Sequence, residues 1–200
     1  MAEPIVHVVD DDDAIRDALA WLLRSRGVAA RTWPSAEAFL AGCSDAMRGC
    51  IVLDVRMEGM SGVELFDHLL AHGNRLPVIF LTGHGDVPLA VAALKKGAFD
   101  FVEKPFNDND LVDRIVAAVR HDASEQERLE SEASVAARLA GLTARERQVM
   151  ERVLAGDYNK TIADALGIAV RTVEVHRARI FEKMGVRSAV ELAQLLAPRR

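Results

Sequence analysis

The chain has little cysteine, two residues in 200, and no apolar run longer than a handful of positions. Two thiols, Cys43 and Cys50, are too few for a disulfide scaffold and lack companions at metal-site spacing, so reduced, partly buried thiols are expected. No stretch is long enough to cross a bilayer, and the N-terminus lacks the basic-then-apolar order of a secretory signal. A cytoplasmic protein with no membrane partner is the expectation. What is present is ordinary for a globular chain: 50% hydrophobic and 28% charged residues, enough for one or two domains with cores of their own. The net charge of −5 conceals an asymmetry, because residues 1–122 hold 12 basic and 19 acidic side chains while residues 143–200 hold 11 and 7. An acidic front and a basic back suit a metal or phosphoryl site joined to a binder of polyanions.

The most informative stretch is Ile51-Val52-Leu53-Asp54-Val55-Arg56, an apolar run that ends in a carboxylate and then in Gly59-Met60-Ser61-Gly62. It reads as a buried parallel strand with Asp54 at its carboxyl end, where open α/β sheets place their chemistry. Ile5–Val9, Val28–Trp33, Pro77–Thr82 and Phe99–Glu103 read as four more strands. Helical spacing between them starts after Asp10-Asp11-Asp12-Asp13, at Ser35, at Val63, at Asp86 with Pro88 in the first turn, and at Asn107. Five strands alternating with helices predict a doubly wound parallel sheet. Its carboxyl rim carries Asp10 and Asp11, Asp54, Thr82 and Lys104.

Residues 122–140 lose large hydrophobics and fill with Glu and Ala, which predicts a helical linker between domains at 1–121 and 141–200. A coiled-coil seam through Leu129, Val135 and Leu139 is the competing reading. From Thr143 the texture is all-helical. Thr143 with Glu146 and Ser188 with Glu191 fit capping boxes, Gly156 and Gly167 stop the first two helices, and Pro198 ends the last. Four helices are expected over 144–155, 159–166, 169–184 and 188–196.

Adjacent carboxylates repel unless a cation joins them, and a hard divalent ion such as Mg²⁺ would resolve Asp10, Asp11 and Asp54. An aspartate can also act as a nucleophile and form an acyl phosphate, with a lysine such as Lys104 neutralising the remaining charge. Lys104-Pro105 is a candidate cis peptide. Asp12 and Asp13 read as an acidic helix start. An aspartyl phosphatase is the enzymatic alternative, although Ala14 stands where such enzymes tend to have Thr or Val, and no segment offers a substrate cap.

Val8-Val9-Asp10-Asp11-Asp12, Leu53-Asp54-Val55-Arg56-Met57, Leu81-Thr82-Gly83-His84-Gly85-Asp86 and Phe101-Val102-Glu103-Lys104-Pro105-Phe106 together resemble the receiver domain of two-component response regulators. The run from Thr82 to Val91 resembles the FixJ-like branch. The resemblance implies a flavodoxin-like fold over residues 4–120, with Asp54 accepting phosphate from a sensor histidine kinase. It also implies Mg²⁺ on Asp11, Asp54 and the Arg56 carbonyl, with Asp10 helping through water. Thr82 and Lys104 would hold the phosphoryl group. Phe101 would be an aromatic switch, and the surface around Val87–Lys95 and Phe101 would respond. Glu58 departs from the pattern, since this position is usually proline.

In the back half, helical geometry puts Val173, Arg177, Ile180 and Met184 on one stripe, with Arg171, Val175, Ala178 and Glu182 opposite and Thr172, Glu174 and Arg179 flanking. As a helix-turn-helix, its Arg171, Glu174, Val175 and Ala178 would approach base edges of double-stranded DNA, while Lys160, Thr161, Thr172, Arg179 and Lys183 would meet phosphates. Leu142-Thr143-Ala144-Arg145-Glu146-Arg147, Asn159-Lys160, Ile162-Ala163, Thr172-Val173-Glu174-Val175-His176 and Lys183-Met184 resemble the LuxR-type (NarL-like) DNA-binding domain. Ala169 departs from it, because a hydroxyl residue usually caps this helix. The resemblance implies a transcription regulator rather than an enzyme, with at most slow self-dephosphorylation. It implies a homodimer when phosphorylated, paired through Val190–Leu196, and RNA polymerase as a further partner.

Overall fold

In the computed structural model, which describes residues 3–44, 46–83 and 87–197 and only the backbone of Val87 and Ala90, the apolar segments become five strands. They are β1 (Ile5–Val9), β2 (Ala30–Trp33), β3 (Gly49–Asp54), β4 (Val78–Thr82) and β5 (Asp100–Glu103), all parallel in the order β2-β1-β3-β4-β5. Between them run α1 (Asp13–Ser25), α2 (Ala36–Gly42), α3 (Gly62–Ala71) and α4 (Val87–Lys95), and α5 (Asp108–Ala140) follows. The residue expected to open α4, Asp86, lies outside the described residues. The chain divides into two units, Met1–Gln126 and Glu127–Arg200.

Side chains alternate across a strand, and here the alternation sorts the apolar residues into two layers. Val9, Ile51, Leu53, Val78 and Phe80 pack with Phe39, Leu65, Phe66, Leu69 and Ala93 of α2, α3 and α4. Val6, Val8, Cys50, Val52, Ile79 and Leu81 pack with Leu19, Leu22, Leu23, Leu111 and Ile115 of α1 and α5. Every residue of β3 is therefore buried, as a central strand covered on both faces requires. Register then fixes the rim: Val9 pairs with Leu53, Asp54 with Leu81 and Thr82 with Glu103, so the carboxyl ends of β1, β3, β4 and β5 lie side by side.

Two buried polar groups brace the sheet away from that rim. His7 of β1 is buried against Trp33 and Phe39, and its Nδ1 accepts the Trp33 indole N–H at 3.2 Å. Burial, reinforced by Arg31, pushes the His7 pKa down from 6.5 to about 4, so the ring is neutral. At the entry edge, Asp122 of α5 accepts from the Gly49 amide at 2.9 Å and from Arg48 Nε at 3.0 Å, while its carbonyl accepts from Arg48 Nη2 at 3.0 Å. Asp122, placed in the linker from its sequence, thus sits buried beneath the first turn of β3. Burial pushes the neighbouring Cys50 thiol up to about 12, an inert, protonated group.

The second unit packs α6 (Ala144–Leu154), α7 (Asn159–Leu166), α8 (Val170–Met184) and α9 (Ala189–Leu196) around Val149, Val153, Ile162, Val173, Ile180, Met184 and Leu192. The predicted α8 stripe is buried, except that Arg177 is half-buried and lies over the Phe181 ring. Gly167 ends α7 with φ +64°, the left-handed conformation that glycine adopts without strain, and so makes the turn into α8. Thr143 and Glu146 form the expected capping box. Ser188 caps Glu191, but the Glu191 carboxylate reaches the Arg187 amide instead of closing the second box. Residues 122–140 are helical throughout. Of the three apolar residues considered for a seam, Leu139 joins this core and Val135 lines a groove beside Leu195 and Leu196. The expected stop at Pro198 lies outside the described residues. Among those described, no helix is long and apolar enough to cross a membrane.

Candidate functional site

The chain reverses at the rim where β1 ends, and Asp10 is left there only 1% exposed. Its Oδ1 accepts the Asp12 amide at 2.9 Å, its Oδ2 accepts from Lys104 Nζ at 2.9 Å, and its carbonyl accepts from Arg16 at 2.6 Å. Asp54, 8% exposed at the end of β3, accepts the same ammonium at 2.5 Å. Lys104 reaches both carboxylates from the end of β5, where its amide is bonded to the Thr82 carbonyl at 2.7 Å and its peptide bond to Pro105 is cis, as expected from the sequence. Thr82 completes the group. It is fully buried at the end of β4, and its hydroxyl has no hydrogen-bond partner among the described residues.

Four predicted residues, Asp10, Asp54, Thr82 and Lys104, are thus gathered at one rim. Asp11 is exposed and turns elsewhere, its Oδ2 accepting the Glu58 amide at 2.9 Å. That bond belongs to a pattern that the sequence does not announce. Three alternate amides of the β3–α3 loop each donate to a carboxylate on a different element: Arg56 to Asp54 at 2.8 Å, Glu58 to Asp11 at 2.9 Å and Met60 to Glu37 at 2.9 Å. Glu37 carried no site signal in the sequence. Gly62 is needed for room, because a Cβ there would lie 2.0 Å from the Asp54 carbonyl oxygen. Ser61 and Glu64 close a capping box on α3.

Burial raises the Asp54 pKa, and Asp10 adds to it, against the opposing pull of Lys104 and the Arg56 amide. Burial opposes charge on Lys104 as well, but hydrogen bonds to Asp54 and Asp10 outweigh it and raise its pKa. The ammonium is therefore firmly charged, and the nucleophile candidate is held between desolvation and the pull of Lys104. Asp12 caps α1 through the Ala14 and Ile15 amides, and Asp13 pairs with Arg16, which is the acidic helix start predicted for them. No three acidic, histidine or cysteine side chains among the described residues stand together as a metal cage. The donor set is nevertheless all oxygen, two carboxylates at the rim with a third one residue along, and this is the chemistry that Mg²⁺ prefers.

In the second unit, Arg171, Thr172, Glu174, Val175, Ala178 and Arg179 are exposed along one side of α8, with Lys160 and Thr161 exposed on α7. Arg171 pairs with Glu174 at 3.0 Å. Ala169 occupies the cap position of α8 without a side-chain bond. Lys183, expected near phosphates, instead donates to Glu146 at 2.7 Å and to the Gly141 carbonyl at 3.2 Å. That bond and the Thr143 amide hold the Glu146 carboxyl down to about 2.

Comparison with known proteins bears on both units. Residues 6–116 match the response regulator receiver domain, and residues 140–196 match the bacterial regulatory proteins of the luxR family. The chain is 54% identical over 192 residues to the C4-dicarboxylate transport transcriptional regulatory protein DctR of Rhodobacter capsulatus, covering 95% of this chain and 98% of that protein. It is 50% identical to the transcriptional regulatory protein FixJ of Azorhizobium caulinodans, covering 95% and 90%. Among solved structures it is similar to the response regulator StyR, with a TM-score of 0.91 and 42% identity over 98% of each chain. It is also similar to full-length FixJ from B. japonicum, with a TM-score of 0.60 and 44% identity over 98% and 96%.

Proposed function

The chain belongs to the DNA-binding response regulators, carrying a receiver and a LuxR-type helix-turn-helix domain, and from that premise we propose that Asp54 is its phosphoacceptor. In the transfer, an Asp54 carboxylate oxygen attacks phosphorus on the phosphohistidine of a sensor kinase. A P–O bond forms, the P–N bond breaks, and the histidine nitrogen leaves with its electron pair. Lys104 keeps its charge throughout and balances the added negative charge. The Thr82 hydroxyl donates to a phosphoryl oxygen. The observation that carries this reading is the pairing of a bridging ammonium with a buried, partnerless hydroxyl at the end of the neighbouring strand.

Asp10, Asp11, Asp54 and the Arg56 carbonyl are the residues to hold Mg²⁺, which would neutralise charge on the transferring group. A phosphoryl group brings about −1.5 to −2 of charge and three acceptor oxygens, enough to draw Thr82 and Lys104 toward it. Phe101, half-buried beside Phe80 in register, turns inward as Thr82 moves, and the face of α4, β5 and α5 responds. Dimerisation follows. In the second unit α9 supplies the apolar contact, with Val190 66% exposed and Leu154 39% exposed beside it. Arg171, Glu174, Val175 and Ala178 then face base edges, while Lys160, Thr161, Thr172 and Arg179 face phosphates.

The test is acetyl phosphate with Mg²⁺, followed by mapping of the acyl phosphate by mass spectrometry and of dimerisation by light scattering. Wild type becomes labelled at Asp54 and dimerises, and Asp54→Asn does neither. Equal labelling of the two proteins would remove Asp54 from the role.

A further inference from the structure

The Glu58 amide holds Asp11 by a bond that a proline at this position could not make, because proline has no N–H. Of the three carboxylates assigned to the metal, Asp11 alone stands apart: Asp10 and Asp54 share Lys104, and no third acidic side chain among the described residues joins them. The loop amide engages Oδ2 and fixes the orientation of the Asp11 carboxylate, so a cation beside Asp54 has to turn that carboxylate against the bond or draw it off the amide. The same loop is anchored on both sides of Glu58, by Arg56 on Asp54 and by Met60 on Glu37. The amide therefore cannot simply follow Asp11 inward without disturbing two further bonds.

We propose that Glu58 is a positioning residue whose backbone N–H tethers Asp11 away from the metal site, so that this receiver needs more Mg²⁺ to become competent than one with proline there. The inference rests on the reading of Asp10, Asp11 and Asp54 as Mg²⁺ ligands. The side chain of Glu58 has the opposite tendency, since its exposed carboxylate adds negative charge near the site and draws the cation in. The two contributions separate by substitution. Glu58→Gln removes the charge and keeps the N–H, whereas Glu58→Pro removes both. No described non-glycine residue has a positive φ, so position 58 lies on the side of φ space that proline occupies.

Mg²⁺ affinity of the full chain is measured by calorimetry for wild type, Glu58→Gln and Glu58→Pro, without any phosphodonor. Glu58→Gln binds more weakly than wild type, and Glu58→Pro binds about tenfold more tightly than Glu58→Gln, the equivalent of one hydrogen bond to a charged group. Equal affinities for the two variants overturn the tether while leaving the metal reading intact. Saturable binding in none of the three proteins overturns both. A second measurement needs no variant: in the wild-type amide spectrum the Glu58 N–H resonance moves upfield as Mg²⁺ is added, reporting loss of its carboxylate partner, and a resonance that stays in place overturns the tether even if Glu58→Pro does not fold.

Discussion

The rim of the first unit and the exposed side of α8, the two sites proposed above, are built in opposite ways. At the rim Asp10, Asp54 and Thr82 are buried and stand at the ends of three strands, with Lys104 bridging the two carboxylates. On α8 the corresponding residues are exposed and lie within one helix. Burial makes the first set electrostatically strong and costly, whereas exposure makes the second set cheap to change and sensitive to salt. The site proposed to react is embedded in the core, and the site proposed to read DNA is left on the surface.

Removing Lys104 should give the largest effect. Lys104→Met leaves two buried carboxylates facing each other without their cation, and urea unfolding of the full chain should show a first unit weaker by about 3–5 kcal/mol, with no dimerisation on phosphodonor. A variant with unchanged stability would erase the contrast between the two sites. Asp54 acts in the other direction. Its folded-state pKa is raised, so stability falls as pH rises through that value, and Asp54→Asn should melt above wild type at neutral pH.

His7 gives the first unit an acid sensitivity of its own. The unfolded imidazole takes a proton below about pH 6.5, while the folded ring resists until about pH 4. Between those values the unfolded state binds more protons, so stability is lost as pH falls, by about 3 kcal/mol when complete. His7→Asn should flatten that part of a pH series of melting temperatures, and an unchanged slope would assign it elsewhere.

In the second unit, Glu146→Gln should cost about 2 kcal/mol through the weakened bonds to Lys183 and the Thr143 amide. In wild type this contribution is full above about pH 4.5 and fades as pH falls toward about 2, because the carboxyl is depressed in the fold. Arg171→Ala sharpens the comparison, since affinity for the operator should fall by about 1–3 kcal/mol with stability within about 0.5 kcal/mol of wild type. Ala169→Ser should have the smallest effect, a gain of about 1 kcal/mol from the missing cap of α8, read as a small rise in the melting temperature of the second unit.

The two sites also differed in how much of them could be read without coordinates. Asp10, Asp54, Thr82 and Lys104 were legible because a parallel sheet puts every strand's carboxyl end on one rim, so residues far apart in sequence are located by topology alone. The exposed side of α8 was legible from its period. What escaped depended on contacts that no period encodes. Glu37 reaches the Met60 amide across two elements, and Asp122 lies under β3 although its neighbours in sequence resemble a linker. Lys183 belongs to the polar side of α8 by angle, but that side borders α6 at its last turn, where Glu146 captures the ammonium. The sequence puts Asp11 on the rim beside Asp10, yet one residue of advance along the chain carries it out of the core and onto the Glu58 amide.

The seat of Asp122 decides where this protein can be divided. A receiver ending at residue 121, the boundary suggested by composition, would strip Arg48 and the Gly49 amide of their shared acceptor at the very foot of the central strand. One ending at residue 126 keeps it. The shorter fragment should be the less soluble of the two, for a reason unrelated to phosphate or to DNA: a middle turn of a helix that resembles a connector further on is the doorstop of the sheet.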